Sequence, residues 1–297
     1  MASLEEGMNM TANMVPDTKE LSLEEIEVEL FIQGIYLKYG YDFRNYSKAH
    51  IKRRVRHRMA KENLRSISEM TERALHNSQW FYDILSDFSI NVTEMYRDPE
   101  VFKMIREEVI PYLKSYPKLK IWHAGCSAGQ EVYSMAIMLM EEGLYDRTTI
   151  YATDFNDNIL RNAKEGIYPL DAVKEYTKNY ITSGGVDDFS NYYTAKYDSV
   201  IMNQELKKNI VFANHNLVTD QDFASMQLIM CRNVLIYFDR ELQNRVIRMM
   251  TDSLSNNGLL ILGTKETIEY CDSKDNYLVL NKANRIYKKR SHNKLVK

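Results

Sequence analysis

The chain is poor in cysteine: of 297 residues three are Cys, at positions 126, 231 and 271. Their number is odd, and none forms a CxxC or Cys/His ligand spacing. This argues against a disulfide framework and structural zinc, and suits a reducing compartment. Long apolar runs are lacking too. None approaches the roughly 18 residues of a membrane span, and the N-terminus lacks the basic-then-apolar order of a secretory signal. A cytoplasmic protein without membrane insertion is expected. Charge of one sign is also missing, since 39 Lys and Arg against 41 Asp and Glu leave a net −2. No global field drives such a chain onto nucleic acid or anionic lipid, so any basic partner surface must be local. What is present is ordinary for a globular protein, 44% hydrophobic and 27% charged residues, with length for one large domain or two modest ones.

The stretch 121–134, IWHAGCSAGQEVYS, organises the rest. An apolar strand (Leu119, Ile121, Trp122) runs into small residues, Ala124 to Gly129, and then into a helical pattern from about Gln130. Small residues let a ligand approach the backbone closely, and a helix start supplies free N–H groups. The next strand, Thr149 to Thr153, ends on Asp154, about 20 residues on, where a ribose-binding acid belongs. The pattern is a nucleoside-cofactor half-site. The Gly pair without Asp154 would indicate only a tight strand-to-helix turn.

Taken in order, residues 1–20 show no periodicity and read as a mobile tail. Ser22 with Glu25 forms a capping-box pattern opening a helix to Gly40, with Leu30, Ile35 and Leu37 as its apolar face. Tyr41, Phe43 and Tyr46 are expected to plug a small core. A second helix, Ser47 to Asn63, sets Ile51, Val55 and Met59 on a buried stripe. Lys52, Arg53, Arg54, Arg56, Arg58 and Lys61 surround that stripe, with Glu62 the only acid nearby in sequence. These cations are either a solvated face or a docking surface for an acidic partner, helical or nucleic, met by Arg54 and Arg58 as i, i+4 neighbours with Arg53 or Lys61 at the edge. Helices over 66–76 and 77–86 complete a helical domain, 21–88. Residues 89–100 form a linker that either lines a cleft or merely connects, and a helix follows from Val101 to Leu113. Residues 101–290 make a larger α/β domain, with a tyrosine-rich β insertion at about 168–208 in which Gly184-Gly185 reads as a hairpin-like turn. Strands 210–213 and 228–231 end on polar residues, Asn214 to Asn216 and Arg232-Asn233. Ends at Asp154, Asn216 and Asn233 point to one cleft. Asn257-Gly258 is expected to lead into a strand, Leu259 to Leu262. Cys126, Cys231, His123 and His215 read as buried structural residues.

With these pieces in view, the chain resembles the CheR family of chemotaxis-receptor methyltransferases over about Leu21 to Tyr287. The carrying motifs are NVTEMYRDP (91–99), GCSAGQEVYSMA (125–136), YATDFNDNIL (151–160) and, most specific, MCRNVLIYFD (230–239). The resemblance implies an N-terminal helical domain and a Rossmann-like α/β domain for S-adenosylmethionine (SAM). That domain would hold a mostly parallel seven-stranded sheet and a small antiparallel insertion. It further implies transfer of the SAM methyl to receptor glutamates, with S-adenosylhomocysteine as the other product. The partner would be an acidic helical cytoplasmic region of a chemoreceptor, and the enzyme a monomer. Residue by residue, it sets Asn91, Thr93 and Arg97 at the methionyl end, Gly125 and Glu131 along the cofactor, and Asp154 on the ribose. Asn216 and Leu217 would flank the adenine, Arg232 and Asn233 would line the opposite wall, and Tyr237 would stand near the transferred methyl. Arg97 and Tyr237 would be the residues that hold the attacking carboxylate. Gln130, Lys265 and His215 depart from the usual family pattern, which leaves the acceptor open.

A glutamate carboxylate, with a pKa of about 4.3, is already ionised at neutral pH. The absence of a Ser-His-Asp or Cys-His arrangement is therefore no obstacle; such an enzyme must supply alignment and exclusion of water. A nicotinamide dehydrogenase would lack its GxGxxG turn here, and a nucleic-acid methyltransferase its Asn/Asp-Pro-Pro-Tyr/Phe motif. A degenerate SAM-binding scaffold, or an enzyme acting on another signalling protein, is the remaining alternative.

Overall fold

A computed structural model describes residues 21–88, 93–221 and 225–291. The stretch read as a tail and Asn91 lie outside them. Ser22 forms the capping box with Glu25 that opens α1 (Leu23–Tyr39), and Gly40 closes it at φ +78°. The buried face of α1 is not the expected one. Val28, Phe31, Ile32 and Ile35 point inward, while Leu30 and Leu37 are exposed. Both faces carry apolar residues at helical spacing, so periodicity within the helix could not choose between them. Helices α2 (Lys48–Glu62), α3 (Ile67–His76) and α4 (Ser78–Phe88) follow. Phe43, Tyr46, Phe81 and Phe88 fill the space among them.

The expected helix from Val101 is interrupted. Helix α5 (Pro99–Met104) passes through a π-helical turn, Ile105–Val109, into α6 (Ile110–Leu113). Strand β1 (Leu119–Ala124), α7 (Gln130–Glu141), β2 (Thr148–Asp154) and α8 (Asp157–Glu165) then form the predicted half-site. The insertion holds β3 (Ile167–Pro169), α9 (Val173–Thr182), β4 (Tyr193–Lys196) and β5 (Ser199–Met202), with the three strands in an antiparallel sheet. Gly184-Gly185 is not a hairpin turn. Gly184, at φ +83°, and Gly185 unwind the end of α9 by donating to the carbonyls of Ile181 and Tyr180. The hairpin turns instead at Tyr197-Asp198, with Tyr197 at φ +56°.

The chain ends with β6 (Ile210–Asn214), β7 (Met226–Cys231), α10 (Arg240–Ser253), β8 (Leu254–Leu262), β9 (Tyr277–Asn281) and β10 (Ile286–Lys289). Asn257-Gly258 lies inside β8, at an irregularity in its pairing with β7, rather than ahead of it. The seven-stranded sheet runs β6-β2-β1-β7-β8-β10-β9. Its first five strands pair in parallel, and β10 alone is reversed, pairing antiparallel with both β8 and β9. The fold is thus Rossmann-like α/β with an N-terminal helical region and a small antiparallel sheet. One sheet face, with Trp122, Ile229 and Leu260, shares a continuous core with α1 to α4 and α10; the other packs α5 to α7 and α9. The order in which strands are added reverses between β1 and β7, and that switch point opens a crevice at the carboxyl ends of the strands.

Candidate active site

Pairing registers bring the strand ends level: Ala124 lies beside Thr153, Asp154 beside Asn214, and Cys231 beside Leu262. Above them lies an open cleft of about 900 Å³, counting the space it shares with solvent. Of the residues expected at the cofactor or reaction centre, Thr93, Arg97, Gly125, Glu131, Asp154, Asn216, Leu217, Arg232, Asn233 and Tyr237 all line it. Tyr46, Phe88, Ser127, Phe155, Val234 and Phe238 line it too, and the sequence did not single them out for this site. Phe155 had a local signal, directly after Asp154 at a strand end. Tyr46 had none, because it arrives from the helical region.

The floor is made by the turn after β1. Gly125 sits at φ +75° and Ser127 at +51°, and the N–H groups of Gly125 and Cys126 both donate to the Thr153 carbonyl. A Cβ on Gly125 would lie 2.6 Å from Val234 Cγ2, so only glycine leaves the backbone open to the cleft. Asp154 Oδ2 accepts from Ser127 N–H at 3.0 Å and Oδ1 from Asn156 N–H at 3.1 Å. With four lone-pair sites on its two oxygens, the carboxylate has acceptor capacity beyond these backbone bonds. Burial raises the Asp154 pKa, against those backbone bonds. Asn216 turns its own loop, its Oδ1 accepting from Val218 N–H at 3.0 Å.

The opposite side is a buried ion network. Arg232, with 1% of its side chain exposed, donates to Glu131 Oε2 at 2.9 Å, Asp98 Oδ2 at 2.7 Å and the Arg97 carbonyl at 3.1 Å. His123 Nδ1 meets Glu131 Oε1 at 3.0 Å. Burial pushes the Glu131 carboxyl up, but the His123 hydrogen bond and the Arg232 charge outweigh it, and the net shift is downward. Asp98 stands at φ +57° ahead of α5 and does not cap it through its side chain. Its carboxylate is turned to Arg232 instead. His215 is buried edge-on to Trp122, with Nε2 3.1 Å from the Gln221 carbonyl. Cys126 and Cys231 are buried, and burial raises both thiols, which removes them as nucleophiles.

Tyr237 occupies the mouth, half-buried and edge-on to His50. Burial raises its phenol, and the charges of Arg54 and Arg97 pull it back. A strap from the helical region holds this segment: Ser47 N–H donates to the Tyr237 carbonyl at 2.8 Å, and Asp239 N–H to the Asn45 carbonyl at 2.9 Å. The basic helix differs from expectation. Arg58 is buried at 7% exposure, bound to Glu62 at 2.5 Å and set over the Trp80 ring, so it is not on a docking surface. Lys52 pairs with Glu25, Arg56 with Glu24 and Lys48 with Glu29. These α1 acids, remote in sequence, neutralise one side of α2. Arg53 and Arg54 remain toward Tyr237.

Two family models match. One described as CheR methyltransferase, SAM binding domain, covers residues 91–285, and one described as CheR methyltransferase, all-alpha domain, covers residues 26–88. The chain is 48% identical over 265 residues to the Pseudomonas putida protein named as the methyltransferase Cher3, spanning 89% of this chain and 97% of that one. It is 30% identical over 257 residues to the chemotaxis protein methyltransferase of Listeria innocua (86% and 93% covered). With the corresponding Escherichia coli protein it shares 24% over 274 residues (88% and 91%). Among the described residues no helix is long and apolar enough to cross a membrane.

Proposed function

The chain belongs to the CheR methyltransferase family and is a SAM-dependent methyltransferase, and from that premise we propose that it methylates glutamate side chains in an acidic helical region of a chemoreceptor. One observation carries this reading: the cleft opens beside a cluster of cations, Arg97, Arg54 and Arg53, that act on the Tyr237 phenol. A carboxylate entering there meets positive charge and a hydrogen-bond donor and needs no base to ionise it.

The residues fit SAM. Asp154 would hold the ribose hydroxyls, the open backbone at Gly125 would lie along the cofactor, and Asn216 with Leu217 would border the adenine. Glu131 and Arg232 would face the methionyl end, joined there by Thr93. Bound SAM supplies a methyl on a positively charged sulfur. Arg97 and Tyr237 align the acceptor oxygen with it, and the apolar rings of Tyr46, Phe88 and Phe238 keep water away. The decisive test is transfer of labelled methyl from SAM to chemoreceptor-bearing membranes, followed by base treatment. A glutamate ester releases volatile methanol. Label that stays on protein, or none transferred, sinks the proposal.

Tyr237→Phe is expected to lower turnover by about tenfold or more, the range for losing a hydrogen bond to a charged group, with little change in SAM affinity. Wild-type turnover would reduce Tyr237 to a packing role. Arg53→Glu with Arg54→Glu should raise KM for the receptor several-fold and weaken the salt dependence of activity. If KM for receptor membranes is unchanged at low salt, this end of α2 is no docking surface.

A further inference from the structure

Directly behind the reaction centre lies a carboxylate that the mechanism above does not use. Glu266, 3% exposed, sits in the turn after β8. Its Oε2 accepts from the N–H groups of Asn233 at 3.0 Å and Gly263 at 2.6 Å. Its Oε1 accepts from Val234 at 2.8 Å and Ile236 at 3.3 Å. One side chain thus collects three N–H groups of a single segment, 233–236, and a fourth from its own turn. The segment needs such a partner. It leaves β7 through Asn233 at φ +61° and passes into a short 3-10 turn, Leu235–Tyr237, so its amides have no ladder to join. The carboxylate also needs room: a Cβ on Gly263 would lie 2.7 Å from Glu266 Oε2 and 2.8 Å from Asn233 N. On the far side Gln243 Nε2 donates to the carbonyls of Leu235 at 2.9 Å and Phe238 at 3.1 Å.

We infer that Glu266 is a positioning residue for methyl transfer, its carboxylate holding the Asn233–Tyr237 segment so that the Tyr237 hydroxyl stands at the cleft mouth. This rests on the reading of Tyr237 given above. Four N–H donors match a carboxylate, whose two oxygens offer four lone pairs, and no other side chain of that size. A glutamine would turn its own NH₂ toward two of the donors, keeping the shape and losing half the anchorage. The effect should therefore be on presentation of Tyr237 rather than on the fold.

The experiment is a double-mutant cycle in the full chain, read as kcat and KM for labelled-methyl transfer from SAM to chemoreceptor-bearing membranes, with calorimetric SAM affinity alongside. Glu266→Gln is expected to lower kcat about tenfold in the wild-type background and less than about twofold in Tyr237→Phe, since residues acting as a unit are not additive. If Glu266→Gln does not fold, Glu266→Asp, which keeps the charge at shorter reach, is read in the same cycle. A slow Tyr237→Phe enzyme with Glu266→Gln at wild-type speed, or with the same fold loss in both backgrounds, overturns this inference alone. A Tyr237→Phe enzyme as fast as wild type overturns the Tyr237 reading and this inference with it.

Discussion

Arg232→Ala is expected to lose about 3 kcal/mol of stability, the lower end of the range for removing one partner from a buried ion pair. The Arg232 side chain is 1% exposed and touches two carboxylates, Glu131 at 17% and Asp98 at 37%. Its removal leaves Glu131 buried with His123 as its one remaining hydrogen-bond partner among the described residues. Asp98 is open enough for water to replace the lost contact, which keeps the cost below the top of the range. Lysine at 232 should restore only part of the loss, because one ammonium cannot serve Glu131, Asp98 and the Arg97 carbonyl as a planar fork does. The pH dependence has a definite sign. The Glu131 pKa is lowered on folding, so its contribution is present above the unfolded value, near 4.3, and is lost as pH falls through the folded one. That acid limb should shrink in Arg232→Ala. Urea midpoints between pH 3 and 7 measure both effects, and a variant within about 0.5 kcal/mol of wild type would mean the network holds nothing.

Asp154→Asn should weaken SAM binding by about 1.5–3 kcal/mol, roughly 10- to 150-fold in Kd, as expected for loss of a charged hydrogen-bond acceptor. The stability of the free enzyme should behave differently. Burial raises the Asp154 pKa; a carboxyl raised on folding contributes stability below its unfolded pKa and loses it as pH rises through the folded one. Ionising the wild-type side chain therefore costs the free enzyme stability, a cost that asparagine removes. Lower affinity without lower stability is the combination expected of a ligand-holding carboxylate. Calorimetry with SAM from pH 5 to 8 should also show wild-type affinity falling toward acid and the Asn variant flat. Equal affinity for both proteins would remove Asp154 from the cofactor site.

The five parallel strands of the large sheet, several helix ends and the βα turn were legible because their signals are local. Ser22 with Glu25, and Gly40, act within one helical turn of the residues they cap. The small residues from Ala124 to Gly129 announce a close backbone approach, and Asp154 closes the half-site. Even so, Gly184-Gly185 reads identically whether it joins two strands or unwinds a helix, and only the packing of Gly185 on Tyr180 decides it.

The sequence by itself determined a parallel sheet with ligand-facing strand ends and a nucleoside site, since period, caps and small residues lie within a few positions of what they control. Only the tertiary structure decided which charges count. Arg58, one of seven Lys and Arg residues on α2, is buried over Trp80, while acids from α1, more than 25 positions away, neutralise Lys52 and Arg56. Arg232 and Glu131 stand 101 positions apart and Glu266 and Asn233 stand 33 apart. A buried ion needs a partner whatever its distance along the chain. Which partner it finds is set by strand order and register, and those follow from packing many residues at once.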